Sequence, residues 1–114
     1  MFEDLRSTYI YILDGFKKLP ISFSDILEAW EEDRMKPFKL VRKDVEEELG
    51  RILGVKLYGA YFNPEKMVAV IEYMVEFQGK GSSGVYGVKI VHAEYPELAL
   101  IEYYKAEKEG KLVK

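Results

Sequence analysis

The distribution of hydrophobic residues changes at Val55, and this change constrains the fold more than any other feature of the sequence. Before Val55 the large apolar residues recur at steps of three and four, which is the spacing of one helix face. From Val55 onward the chain is rich in β-branched and aromatic residues separated by polar turns, as is typical of strands. The sequence therefore predicts an α+β fold, with three N-terminal helices followed by a four-stranded antiparallel sheet.

The first predicted helix extends from Phe2 to Leu19. Pro20 ends it, because the residue before a proline is disfavoured in helical geometry. The stretch Tyr9–Leu13 also has the composition of a strand, so that alternative stays open. The apolar stripe of this helix consists of Phe2, Leu5, Tyr9, Ile12, Leu13 and Phe16.

Two further helices are predicted before the strands. The second begins near Ser22 or Ser24, either of which is a good N-cap, and ends at Pro37. The third begins at Asp44 and ends at Gly54, with glutamates in its first turn that are typical of a capping box. These carboxylates also complement the helix dipole, so they have a structural explanation that requires no function.

Four strands are predicted in the second half, at Val55–Phe62, Met67–Gln78, Val85–Tyr95 and Leu98–Lys105. A polar turn at 63–66 joins the first two. Because the connections are short, we expect successive strands to be antiparallel neighbours. The last strand has an alternative interpretation as a helix, since it is preceded by Pro96 and followed by a glycine stop.

Length and composition predict one domain in the cytoplasm. The 114 residues suit a single core. No apolar run approaches the roughly 20 residues that span a bilayer, and Glu3 and Asp4 stand where a secretion signal would be basic. Few Asn, Gln and Cys residues beside many Lys and Glu residues are typical of hyperthermophile proteins.

The residues that carry catalytic or metal chemistry are scarce. The chain has no cysteine and one histidine, which excludes thiolate sites and two-histidine metal sites within one protomer. His92 beside Glu94 is a candidate general base, and Glu72 with Glu76 is a candidate carboxylate pair. No nucleophile lies near them in sequence, and structural roles explain all four. The sequence therefore predicts a protein without enzymatic activity, metal or cofactor.

The glycine-rich segment Gly79–Gly84 resembles a phosphate-binding loop only superficially. It lacks the Walker spacing and leads into a strand rather than a helix, which favours a hairpin loop. Together with the C-terminal segment Lys105–Lys114, which has four lysines and two glutamates, it supports an alternative function in nucleic-acid binding. The nine acids and five bases between Asp25 and Glu48 oppose this alternative, because an acidic surface repels phosphates and favours a basic protein partner.

Two groups of residues are the predicted binding sites. The chain has nine tyrosines, whose amphipathic rings are enriched at protein interfaces. We expect a homodimer interface formed by Tyr73, Tyr86, Tyr103 and Tyr104. We expect a basic protein partner to be bound by an acidic helical surface formed by Glu28, Glu31, Glu32, Asp33, Glu46, Glu47 and Glu48.

The chain resembles the small uncharacterised proteins of rod-shaped viruses of thermoacidophilic archaea and of their hosts. The likeness lies in its size, its lack of cysteine, its tyrosine-rich strands, and its acidic helices around Trp30-Glu31-Glu32-Asp33 and Asp44-Val45-Glu46-Glu47-Glu48. That group includes dimeric anti-CRISPR proteins that bind an effector subunit through acidic surface. The resemblance implies a non-enzymatic, homodimeric viral protein that acts on a host complex such as a CRISPR effector in the host cytoplasm, and it implies no catalytic residues.

Overall fold

The computed structural model describes residues 4–114. Within this range the α+β class is confirmed, but two strands precede the first helix. None of the helices in this range is long and apolar enough to cross a membrane. In chain order the elements are β1 (Ser7–Ile12), β2 (Gly15–Leu19), α1 (Phe23–Glu32), α2 (Lys36–Leu49), β3 (Arg51–Asn63), β4 (Val68–Gln78), β5 (Ser83–Ala93) and α3 (Pro96–Lys108).

The strands form one antiparallel sheet with the order β2-β1-β5-β4-β3. The β3–β4 and β4–β5 hairpins join neighbours, as their short connections predict. The β1–β2 hairpin instead pairs with the other side of β5, where Thr8 lies opposite His92. The start of the chain therefore completes a sheet whose other strands come from the second half.

Helices cover both faces of the sheet, so the core has two parts. The α1 and α2 helices pack on one face and α3 packs on the other. Because β4 is covered on both sides, its residues 68–73 are buried without interruption. Buried residues on the first face include Ile10, Ile26, Val41, Val45, Ile71 and Val88. Those on the second face are Val68, Val70, Val91, Ala93, Ala99, Leu100 and Tyr103.

The last residues of the chain close part of the β3 edge. The Ala60 N–H donates to the Val113 carbonyl at 2.8 Å, and the Val113 N–H donates back to the Ala60 carbonyl at 2.8 Å. Arg34 Nη1 donates to the Lys114 backbone oxygen at 2.9 Å. The two bonds between Ala60 and Val113 satisfy backbone groups that would otherwise leave this part of the edge open to pairing with another strand.

The predicted N-terminal helix over Phe2–Leu19 is wrong, because the chain forms the β1–β2 hairpin there; Phe2 itself lies outside the described residues. The same segment also contains an alternating set, in which Ile10 and Ile12 are buried on one face of β1. A two-residue turn joins the strands with φ of +52° at Leu13 and +62° at Asp14, as in a type I′ turn. The segment forms strands because β1 pairs with β5. The sequence near β1 does not indicate this pairing with a distant part of the chain.

Two helices lie between β2 and β3, but their predicted boundaries need correction. Of the two predicted caps, Ser22 and Ser24, the structure has the one at Ser22. Its hydroxyl accepts from the Asp25 N–H at 3.0 Å and its own N–H donates to the Asp25 carboxylate at 3.2 Å. Pro37 closes no helix and lies in the first turn of α2, where its missing N–H costs nothing. Asp44 is therefore interior to α2 rather than its cap, and the helix ends at Leu49, before the predicted end.

The predicted fourth strand, Leu98–Lys105, is also wrong, and the sheet has five strands because of the N-terminal hairpin. This segment belongs to α3, with Pro96 in the first turn as in the alternative interpretation. The buried positions are Ala99, Leu100, Tyr103 and Ala106, at helical spacing.

Candidate functional site

The predicted acidic surface lies on α1 and α2, and part of its charge is paired within the chain. Three of its glutamates form exposed ion pairs, and the Asp33 carboxylate accepts from the Met35 N–H at 2.8 Å. Such pairs contribute little to stability, but they reduce the charge available to a basic partner. The pairs are Glu32 with Lys36, Glu46 with Arg42 and Glu47 with Lys17.

Three residues of the acidic surface, Glu28, Glu31 and Glu48, are exposed. Within residues 4–114 they form no ion pair. Glu28 and Glu31 lie on α1, whereas Glu48 lies on α2. The binding of a basic partner by this surface stays a prediction.

The four tyrosines predicted at a dimer interface lie in different environments. Tyr73 and Tyr103 are fully buried in the chain's own core. Tyr86 is half-buried, and its hydroxyl accepts from the Asp14 N–H at 3.3 Å. Tyr104 is 43% exposed and is the one of the four with a large free surface.

The hydroxyls of the two buried tyrosines are hydrogen-bond donors. The Tyr73 hydroxyl donates to the Arg34 carbonyl at 2.6 Å on the α1/α2 side. The Tyr103 hydroxyl donates to Glu72 Oε1 at 2.6 Å on the α3 side. Burial raises the pKa of both phenols well above the usual range, and hydrogen bonding to Glu72 raises that of Tyr103 further. Both hydroxyls therefore stay protonated and hold helices to the sheet.

His92 is a core residue. Its Nδ1 lies 2.9 Å from Thr8 Oγ1, and its ring lies 5.1 Å from the Phe23 ring. Burial lowers its pKa, partly offset by the nearby Asp4 carboxylate. The imidazole is thus neutral at physiological pH, and its contacts join β1 and α1 to β5.

A buried polar cluster lies under α3, where the sequence suggested a solvent-facing carboxylate pair. Glu72 and Lys89 are 8% and 7% exposed, and Lys89 Nζ lies 3.5 Å from Glu72 Oε2. The Lys89 ammonium also lies 5.5 and 5.6 Å from the ring centroids of Tyr11 and Tyr104, within cation–π range. Glu76, by contrast, is exposed. The cluster balances its charges internally and fixes how α3 lies on the sheet.

Gly87 makes room for this cluster. A Cβ at that position would collide with the Glu72 carboxylate, which lies directly above the glycine. Close approach of a side chain to the backbone is one of the few reasons for a glycine inside a strand.

Apart from Tyr104, the residues on the outer face of α3 were not predicted as a binding surface from the sequence. This face carries Leu98, Ile101 and Tyr104, which we call the α3 stripe. Leu98 is 57% exposed and Ile101 is 62% exposed. Tyr95, directly before the helix, is 61% exposed. Residues three apart share one side of a helix, so the stripe is continuous and lies opposite the face that packs on the sheet.

Two cavities flank α3. One of about 620 Å³ lies between the N-terminal segment and the start of α3, and Leu5, Arg6, Lys66 and Leu98 are among its lining residues. The other, of about 420 Å³, lies beside the C-terminal half of α3. Glu102 lines both cavities.

Four charged groups of the larger cavity are paired with one another within the chain. Arg6 binds Asp4 at 2.8 Å, and Lys66 lies 3.6 Å from Glu102. Among residues 4–114 no buried side-chain nitrogen or oxygen lacks a hydrogen-bond partner. In the same range no group of three or more His, Cys, Asp or Glu side chains is placed to hold a metal ion. The cavity thus offers apolar surface at Leu5 and Leu98 rather than a polar ligand site.

Comparison of the chain with protein-family models, curated proteins and solved structures gives no match. The fold and the site define its class, an α+β protein with a five-stranded antiparallel sheet between two helical layers and an apolar stripe on its last helix. Functional inference beyond this class rests on the geometry of the chain itself.

Proposed function

We propose that this protein is a non-enzymatic protein-binding module whose binding surface is the α3 stripe. The observation that carries the proposal is the exposure of three large apolar side chains in line on a helix whose opposite face already fills the core. Folding requires only one apolar face of a helix. The outer face therefore has no structural need of Leu98, Ile101 and Tyr104.

Helix propensity does not account for these residues either. Isoleucine and tyrosine are weaker helix formers than the alanine, lysine or glutamate common at exposed positions. Single exposed apolar residues are normal, but contiguous ones mark interaction sites. Burial of a leucine or isoleucine that is about 60% exposed would contribute about 1–2 kcal/mol to association.

The aromatic residues support the same proposal. Tyr104 is the last residue of the stripe and Tyr95 lies three residues before its first. Tyrosine is a common anchor at interfaces because its ring is large and has few rotamers. Tyr104 is also held in place by its contact with Lys89. A partly preorganised ring loses less entropy on binding.

The other predicted functions have weaker support. The acidic surface is partly neutralised by ion pairs within α1 and α2, and the lysine-rich C-terminal segment is bound to β3 through Val113. A basic partner, a viral origin and action on a CRISPR effector stay predictions, as does nucleic-acid binding.

The absence of cysteine allows a direct test of the α3 stripe. Single-cysteine variants Ile101→Cys and Leu13→Cys place one thiol each at positions that are 62% and 54% exposed in the isolated chain. The rate of maleimide labelling is measured for purified protein across a range of concentrations, and again in an extract of the cells that naturally produce it. We expect labelling of the cysteine at 101 to slow relative to the control at 13 in at least one setting. Equal rates in both settings would refute the proposal.

A further inference from the structure

We infer that the partner of the α3 stripe is a second copy of this chain, packed antiparallel about a two-fold axis at Ile101. This inference rests on the proposed function and names its partner. In such an isologous interface each residue at a given distance before the axis meets the residue at the same distance after it on the other copy.

The charges around the stripe match this symmetry. Glu97 lies four residues before Ile101 and Lys105 lies four residues after it. The offset of four keeps both residues on the side of the helix that Ile101 occupies. Antiparallel packing therefore places Glu97 of each copy opposite Lys105 of the other, and each pair occurs twice.

The same symmetry extends to the apolar contacts. Leu98 and Tyr104 lie three residues before and after Ile101, so each leucine would meet a tyrosine ring. Parallel packing would instead oppose like charges, which disfavours that arrangement.

The charged side chains that would pair across the dimer form no ion pair within the described part of the single chain. Within residues 4–114, Glu97 and Lys105 take part in no ion pair. The other glutamates of α3 are engaged, since Glu102 accepts from Tyr61 and Glu107 from Tyr58. The helix dipole accounts for an acid in the first turn and lysines in the last, but not for the apolar residues between them.

The size of the surface sets the expected strength. The 13 residues of α3 form a rod about 20 Å long, and helices pack at interaxial distances of about 8–10 Å. This contact, with Tyr95 and Leu5 at its margin, is at the small end of specific interfaces. We therefore expect a reversible dimer with a dissociation constant on the order of 10 µM.

Charge reversal and charge exchange test the inference. The full chain is compared by sedimentation velocity with Glu97→Lys, Lys105→Glu and the double variant, at concentrations up to several hundred micromolar. Each single reversal opposes like charges twice per dimer, so we expect the dissociation constant to rise about tenfold. The double variant exchanges the charges and restores every pair, so its dissociation constant should return to within about threefold of the original.

Two controls accompany these variants. Glu28→Lys on α1 makes the same change in net charge away from α3, and we expect it to leave dimerisation unchanged. Circular dichroism melts establish that each variant is folded, since the exchange also reverses favourable charges at the helix ends.

The outcomes separate this inference from the proposed function. A double variant that dimerises as weakly as the single variants would overturn the antiparallel pairing. A chain that is monomeric at every concentration, while its cysteine at 101 is protected in the extract, would show that the partner is a different protein and leave the proposed function intact. A monomer whose cysteine at 101 stays reactive in both settings would overturn both.

Discussion

Removal of the Tyr103 hydroxyl tests whether α3 is held to the sheet by a bond to an ionised carboxylate. In Tyr103→Phe the ring keeps its packing, including its 5.6 Å contact with the Tyr104 ring, and only the 2.6 Å bond to Glu72 is lost. Hydrogen bonds to charged groups contribute about 1.5–3 kcal/mol, against about 0.5–1.5 kcal/mol for neutral ones. We expect the free energy of unfolding to fall by about 2 kcal/mol, which lowers the melting temperature by roughly 8 °C in a domain of this size.

Tyr73→Phe is the matched control. Tyr73 is equally buried, and its hydroxyl donates over the same 2.6 Å, but to the neutral backbone carbonyl of Arg34. Its loss should cost about 1 kcal/mol. Urea denaturation measures both variants, and an unchanged m-value shows that the comparison concerns stability rather than the compactness of either state.

A double-mutant cycle completes this experiment. In a Glu72→Gln background the acceptor is neutral, so Tyr103→Phe should cost only about 1 kcal/mol. If Tyr103→Phe destabilises the chain no more than Tyr73→Phe does, or if its cost is unchanged beside Glu72→Gln, the ionised acceptor and the reasoning built on it are refuted.

Two further predictions follow from the buried histidine and from the turn between β1 and β2. Because burial lowers the pKa of His92, the unfolded chain binds a proton more readily than the folded one. The free energy of unfolding should therefore be highest above about pH 6.5 and decrease as the pH falls toward the folded-state pKa. His92→Gln should flatten this decrease between pH 7 and 5 in urea titrations, whereas an identical slope would show that His92 is not its cause. Leu13 has φ +52° and is 54% exposed, and a left-handed conformation costs a bulky residue about 1–2 kcal/mol. Leu13→Asn should raise the free energy of unfolding by about 1 kcal/mol in the same assay, and no gain would show that the turn is not strained.

The position of α3 shows why a sequence pattern can mislead. Ala99, Leu100, Tyr103 and Ala106 form a helical stripe toward the sheet, but Leu98 and Ile101 place apolar residues on the opposite side as well. With both sides apolar, the period of 3.6 is obscured and a strand is a reasonable interpretation. Leu98 and Ile101, which obscure the helical pattern, are also residues proposed to bind a partner. The same exposed apolar residues therefore explain the wrong strand prediction and form the candidate site.

The candidate tyrosines show the same dependence on tertiary contacts. Sequence composition indicates that tyrosines are abundant, but it does not distinguish Tyr73, which fills the core, from Tyr104, which is partly exposed. Burial depends on which helix covers which part of the sheet. The offsets of Glu97 and Lys105 about Ile101 were present in the sequence, but they acquire meaning only once the segment is known to be a helix.

Local signals in the sequence determined the α+β class, a cap near Ser22, the turn after Asn63 and the strands β3, β4 and β5, because each depends on backbone preferences within a few residues. The tertiary structure decided the rest. Thr8 lies opposite His92. This pairing between distant parts of the chain explains why the N-terminal segment is a hairpin rather than the predicted helix. Packing of α3 on β4 and β5 buries Glu72 and Lys89 and leaves the α3 stripe on the outside. Strand pairing and burial depend on contacts between residues that are far apart in the sequence. A pattern within a few residues therefore does not determine them.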